Sequence, residues 1–296
     1  MTDNQYDILR EYILEKYPEN QPAKDGHADC ELNIERNKVK LPYELWSMDK
    51  IKPDTGAIQK WIKKYKGPYT ISAKLDGMSA LYSTENGEKK LYTRGKGTVG
   101  YDISYFIPYL KLPEDKDITI RGELIISKEN FKKYEKQKTK SNKEIANARN
   151  LVAGIINSKS VDTEKIKDVD FVAYEVIKPS LKPSKQMDLL EKINIDCVLN
   201  KTIDKIDNEI LSKCLIDWRD SYKYEIDGII VVNDEIYPRP KGNPEYAFAF
   251  KMVLSDQKAE AKVLDILWTP TKDGYLAPRV QICLLYTSPS PRDVCS

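Results

Sequence analysis

Five segments of the chain alternate apolar and polar positions with a period of two, which predicts strands over Ile71–Gly77, Leu91–Gly100, Ile118–Ile126, Tyr224–Val232 and Ala247–Val253. In the first, Ile71, Ala73 and Leu75 point one way, while Ser72, Lys74 and Asp76 point the other. Asn86-Gly87 between strand runs is a hairpin signal, and it predicts that the Lys74 strand pairs with the Arg94 strand. Helical spacing appears at Leu9, Ile13 and Tyr17 within Tyr6–Tyr17, stopped by Pro18, and at Ile206, Ile210, Cys214 and Trp218 within Ile206–Tyr222. Ser127 is a predicted N-cap for a helix starting near Lys128. A polar, Asn-rich stretch over 21–39 reads as a linker. Ala261–Trp268 and Tyr275–Ile282 predict a further strand pair joined across Asp273-Gly274. Two strands cannot form an independent domain, so the expectation is that 256–282 begins another module.

The 296 residues suffice for two domains, and 41% hydrophobic content can build a core. Charged residues reach 32% with a net charge of only +2, so nucleic-acid affinity would have to come from local patches such as Lys132–Lys143. Five cysteines at positions 30, 197, 214, 283 and 295 show no C-x-x-C pair. They read as reduced cysteines of a cytoplasmic protein, in a bacterial cell or a virus-infected one. The only histidine, His27, sits in a polar stretch, which argues against a histidine base or a histidine-ligated zinc. No apolar run is long enough to span a bilayer, and no membrane partner is expected.

What the strands have in common is charge. Lys74 and Asp76 share a face, as do Arg121 and Glu123, and Glu225 and Asp227, while Lys251 and Arg94 stand out of apolar runs. Lys74-Leu-Asp-Gly77 alone is equally compatible with a surface ion pair. Ionisable side chains placed singly in several buried strands call for partners or a ligand. Two lysines, two arginines and several carboxylates imply a phosphorylated ligand with a metal ion.

With those segments laid out, the chain resembles the NAD-dependent DNA ligases, within the wider superfamily of covalent nucleotidyltransferases. Lys74-Leu-Asp-Gly77 looks like the motif that carries the AMP-accepting lysine. Thr93–Asp102 resembles the family's T-R-G-D-G-x-x-G-x-D loop. Arg121-Gly-Glu123, Asn147-Ala-Arg-Asn150, Glu225-Ile-Asp-Gly228 and Ala249-Phe-Lys251 look like the remaining nucleotide-site motifs, in the family's order. Thr2–Asp7 resembles the second half of the small N-terminal module that grips the nicotinamide mononucleotide half of NAD; its first half would lie ahead of Met1. Departures are Lys96 for an aspartate, Ser72 for a glutamate, Ala148 for proline, Asn157 for an arginine and Val232 for a lysine.

The resemblance implies an α+β fold: an adenylation domain of antiparallel sheets with flanking helices over 40–255, after a partial helical module (1–20) and before the start of an OB-fold (256–282). It implies that Lys74 takes AMP from NAD, with Asp76 orienting the lysine or a metal and Lys251 acting on the phosphate. Ser47, Met48, Arg94, Glu123, Tyr174 and Asp227 would contact the nucleotide, and Asp3, Tyr6 and Asp7 the nicotinamide half. Arg121 and Arg149 would meet DNA or phosphate, and Glu225 and Asp227 are candidate acids for Mg2+. The implied partner is nicked double-stranded DNA, and the protein is expected to be a monomer. An ATP-dependent ligase or capping-type enzyme, and a non-catalytic nucleotide- or DNA-binding fragment, remain alternatives. Cys283–Asp293 matches in order the eleven residues that a common sequencing-library adapter encodes, so 283–296 reads as a non-native tail.

Overall fold

The computed structural model describes residues 38–53, 55–95, 98–135, 145, 147–158, 161–252, 263–270 and 276–282. The helix expected over Tyr6–Tyr17, Asp3, the linker up to residue 37, His27, Lys96, most of the Lys132–Lys143 patch, Asp273-Gly274 and the 283–296 tail lie outside those residues, while the last two linker positions, Lys38 and Val39, belong to a strand. The chain divides into two compact units, Met1–Lys251 and Met252–Ser296.

In the first unit the elements follow in the order β1 (Lys38–Lys40), β2 (Asp49–Ile51), α1 (Ala57–Lys64), β3 (Tyr69–Leu75), β4 (Met78–Ser83), β5 (Lys90–Arg94), β6 (Val99–Asp102) and β7 (Thr119–Ile126). They continue with α2 (Lys128–Lys132), α3 (Ala148–Ile156), α4 (Thr163–Ile166), β8 (Val169–Lys178), α5 (Pro183–Lys192), β9 (Asn200–Ile203), α6 (Asn208–Ser221), β10 (Ile226–Asn233) and β11 (Ala247–Phe250). They make two mainly antiparallel sheets, ordered β1-β6-β5-β4-β7-β8 and β2-β11-β10-β3-β9, with helices at their flanks. The fold class is α+β, as the resemblance implied. In the second unit β12 (Val263–Pro270) and β13 (Leu276–Ile282) pair antiparallel.

Local chemistry explains several of these elements. The Ser127 side chain accepts a hydrogen bond from the Asn130 N–H at 3.1 Å and starts α2 as its sequence predicts. Asn147 does the same for α3 through the Asn150 N–H at 2.8 Å, while Leu151, Val152, Ile155 and Ile156 bury the inner face of that helix. All eight residues of β7 are buried, Arg121 and Glu123 included. Apolar burial drives the sheets together, but those two charges must then be matched inside.

Two expectations need correction. The Asn86-Gly87 hairpin exists, with both residues at positive φ, but it joins β4 to β5 and not the Lys74 strand to the Arg94 strand. The chain leaves one sheet at Leu75 and enters the other at Met78, so Asp76-Gly77 is a crossing between sheets. In α6 the buried face is Leu211, Cys214 and Leu215, not the straight four-residue line through Ile210 and Trp218. A step of four residues advances about 40° beyond a full turn, so such a line winds off the buried face.

Two glycines should respond oppositely to the same substitution. A Cβ on Gly122 would lie 2.7 Å from both the Phe171 ring and the Val172 carbonyl oxygen, whereas one on Gly154, exposed in α3, would meet nothing within 4 Å. Gly122→Ala is expected to destabilise the unit by about 1–3 kcal/mol, and Gly154→Ala to stabilise it by about 0.5–1 kcal/mol. Urea unfolding of both variants checks the pair, and equal effects would contradict this packing.

Candidate active site

A cavity of about 660 Å³ opens between the two sheets and collects side chains from both. On the β3 side, Lys74 is the one residue of a strand otherwise buried on both faces that stays partly exposed, and it projects into the cavity. Its ammonium donates to Asp227 Oδ1 at 2.7 Å, and Lys251 donates to the other oxygen, Oδ2, at 2.5 Å. One carboxylate therefore bridges two amines. Asp227 reaches both because β10 carries a bulge there: Ile226 pairs with Leu75 and Gly228 with Lys74, leaving Asp227 as the extra residue. Gly228 must lack a side chain, since a Cβ would stand 2.5 Å from the Phe250 carbonyl oxygen and 3.3 Å from Lys251 Cγ.

The facing wall comes from β4, β7 and β8. Glu123 is buried, and desolvation pushes its carboxyl up to about 7 against the opposing pull of Arg121, Lys74, Arg149 and the Gly77 N–H. Arg121, also buried, donates to the Trp46 carbonyl at 2.7 Å and to Ser79 Oγ at 3.4 Å, and lies 5.5 Å from the centroid of the Tyr174 ring. Tyr174 OH and Ser79 Oγ are 2.9 Å apart, and burial raises the phenol above its ordinary range. Arg121 is thus a core cation of this wall rather than an exposed phosphate contact. Arg149 on α3 is exposed and donates to Asp76 Oδ1 at 2.9 Å. Asp76 is not itself in the cavity lining. Ser47, Met48, Arg94 and Ser72 are.

Of the sequence-predicted residues, then, Lys74, Lys251, Asp227, Glu123, Arg121, Arg149, Arg94, Tyr174, Ser47 and Met48 line one cavity. Glu225 does not join them. It precedes β10, is exposed, and only its carbonyl is engaged, accepting from the Asp76 N–H at 3.1 Å. Among the described residues no three His, Cys, Asp or Glu side chains gather as a metal cage, and both Asp227 oxygens are taken by ammonium groups. Glu225 and Asp227 do not fit a protein-built magnesium site. Asp3, Tyr6 and Asp7 lie outside the described residues.

Three lining residues carry no period-two signal and escape sequence reasoning: Trp46, Glu175 and Arg239. The Arg239 guanidinium stacks on the Trp46 ring, 3.8 Å from its centroid, and ion-pairs with Glu175, which also faces Arg121 at 3.5 Å.

The sequence model of the NAD-dependent DNA ligase adenylation domain matches residues 35–253. A DNA ligase of Acanthamoeba polyphaga mimivirus is 41% identical over 290 residues, covering 95% of this chain and 44% of that protein. A putative DNA ligase of Invertebrate iridescent virus 6 is 33% identical over 298 residues, 95% of this chain and 45% of the relative. A DNA ligase of Malacoplasma penetrans is 28% identical over 298 residues, with 90% and 42% covered. The chain spans less than half the length of these relatives.

Burial of Glu123 has a pH consequence. The folded protein keeps its proton up to about 7, while the unfolded chain releases it near the ordinary 4.5, so stability from this group is greatest below 4.5 and is lost as pH rises through 7. Glu123→Gln removes that slope, which is on the order of 3 kcal/mol across the window. Denaturant unfolding of both proteins between pH 4 and pH 8 measures the difference; parallel curves would refute the burial argument.

Proposed function

Because this chain belongs to the NAD-dependent DNA ligase adenylation-domain family, we propose that its cavity transfers AMP from NAD to Lys74, the first half-reaction of DNA ligation. The observation that carries this reading is the Lys74–Asp227–Lys251 bridge inside a cavity whose other wall holds Glu123. A nucleophilic lysine needs a base, an anion-binding cation beside it and a handle for the nucleotide, and these three surround Lys74.

In this reading the nucleotide α-phosphate competes with Asp227 for Lys251. Asp227 is the carboxylate within reach of the Lys74 proton, and loss of that proton gives the amine its lone pair. The Lys74 nitrogen attacks the α-phosphorus, the N–P bond forms, and the P–O bond to nicotinamide mononucleotide breaks with its electron pair leaving on that group. Lys251 and Arg94 neutralise charge on the phosphate oxygens. Glu123 accepts from a ribose hydroxyl, and Tyr174, Ser47 and Met48 bound the adenosine. Magnesium, where used, would be held by the phosphates of the substrate, since the protein offers no cage for it; no step above depends on it.

The later steps of the same reading are transfer of AMP to the 5′-phosphate of a nick and its displacement by the 3′-hydroxyl. Nicked double-stranded DNA is the proposed partner of the whole protein, acting as a monomer. Exposed Arg149 is the better candidate for a DNA phosphate than buried Arg121.

Incubation with labelled NAD should leave AMP on the protein, and labelled ATP should not. Intact-mass measurement should place that adduct on Lys74, with Lys74→Ala abolishing it. Lys251→Ala and Glu123→Ala should each slow adduct formation more than tenfold, more than about 1.4 kcal/mol at the barrier. An adduct that survives in folded Lys74→Ala, or normal rates in both other variants, would sink the assignment.

A further inference from the structure

We propose that Arg239, paired with Glu175, is a positioning residue that holds the Trp46-Ser47-Met48 wall of the cavity in its nucleotide-binding place; this rests on the nucleotide reading above. The segment from Tyr43 to Met48 has no strand partner of its own: it links β1, in one sheet, to β2, in the other. Its backbone and rings are held by two arginines from opposite sides. Arg121 on β7 donates to the Trp46 carbonyl at 2.7 Å. Arg239, from the loop between β10 and β11, donates to the Glu44 carbonyl at 3.1 Å and covers the Trp46 ring at 3.8 Å. Glu175 on β8 ion-pairs with both guanidinium groups and so ties the loop of one sheet to a strand of the other.

Trp46 needs this hold. Its indole N–H is buried and has no acceptor among the described residues, so the pose carries an unmet hydrogen bond. A guanidinium stacked on the ring offsets that cost. Without it, the indole gains by turning its N–H to water, and Ser47 and Met48, covalently attached and lining the cavity, go with it. Lysine cannot replace the arginine here, because an ammonium neither stacks flat on the ring nor serves Glu175 and the Glu44 carbonyl from one rigid fork.

The test uses Lys74→Ala protein, which cannot carry AMP from its source, and measures AMP binding by calorimetry together with thermal unfolding. Adding Arg239→Ala should weaken AMP binding at least tenfold. Arg239→Lys, which keeps the charge beside Glu175, should recover most of the unfolding temperature but not the affinity. Ile166→Ala, a buried truncation in α4 outside the cavity lining, should lower the unfolding temperature with AMP affinity intact. Affinity within threefold of the parent in Arg239→Ala, full recovery of affinity in Arg239→Lys, or an equal loss of affinity in Ile166→Ala would each overturn the clamp. Absence of AMP binding by the Lys74→Ala parent itself would instead overturn the nucleotide reading, and this inference with it.

Discussion

The close approach at Gly77 is the constraint on which the site depends. β3 ends at Leu75 and β4 begins at Met78 in the other sheet, so two residues carry the chain across. A Cβ on Gly77 would lie 2.4 Å from the Leu124 carbonyl oxygen and 2.9 Å from Glu123 Cγ. Any side chain there would push β7 away from the crossing. With glycine, the strand that bears Lys74 and the strand that bears Glu123 stay on converging walls, and the Gly77 N–H reaches the Glu123 carboxyl. The tetrapeptide Lys74-Leu-Asp-Gly77 is therefore a single mechanical unit: the proposed nucleophile, a buried anchor, a carboxylate held by Arg149, and the missing side chain that lets two sheets meet.

Electrostatics follow from that meeting. Burying Arg121 and Glu123 on one strand two residues apart is costly, and each is matched differently. Arg121 keeps its charge through the Trp46 carbonyl, Ser79 and Glu175. Glu123 has fewer partners, so desolvation pushes its carboxyl up to about 7. Lys74, Asp227 and Lys251 are only partly covered, with side-chain exposures of 26%, 29% and 30%. A bridge so exposed is weakly held, which is what the proposed exchange with a nucleotide phosphate requires. The cavity thus combines one rigid, desolvated wall with one exchangeable wall.

Much of this was legible in the sequence because strands write their faces in alternation. Ser72 and Lys74 share the cavity side of β3 as the alternation predicted, Asp76 beyond the strand end does not line the cavity, and the charged positions of β7 and β10 could be seen as a set. The error over the Asn86-Gly87 hairpin shows the limit of that reading. Periodicity reports which side of a strand is buried, but not which sheet the strand joins; a change of sheet at Asp76-Gly77 leaves the alternation untouched. Asp227 belonged to the predicted set, yet its reach to both lysines depends on a one-residue bulge that no pattern announces. Glu225 was grouped with it on alternation alone, and fell outside because the strand starts after it.

Arg239, Glu175 and Trp46 were invisible for a different reason. Their contacts join residues far apart in sequence and come partly from irregular segments, where stacking and ion pairing have no period. Yet these contacts tie the two sheets together along the cavity lining. A binding site built inside one sheet inherits its dimensions from hydrogen-bonded ladders with a fixed spacing. A site built between two sheets has no such ruler, and its width must be set by side chains that span the gap. Here Arg239 does so through Glu175 on β8, whereas the shared Asp227 ties β3, β10 and the residue after β11 within a single sheet. The first is a stacked, ion-paired guanidinium, and the second is a carboxylate shared by two partly exposed ammonium groups. In the proposed reading nucleotide affinity rests on the first contact and the chemistry at Lys74 on the second, so the two can be altered separately.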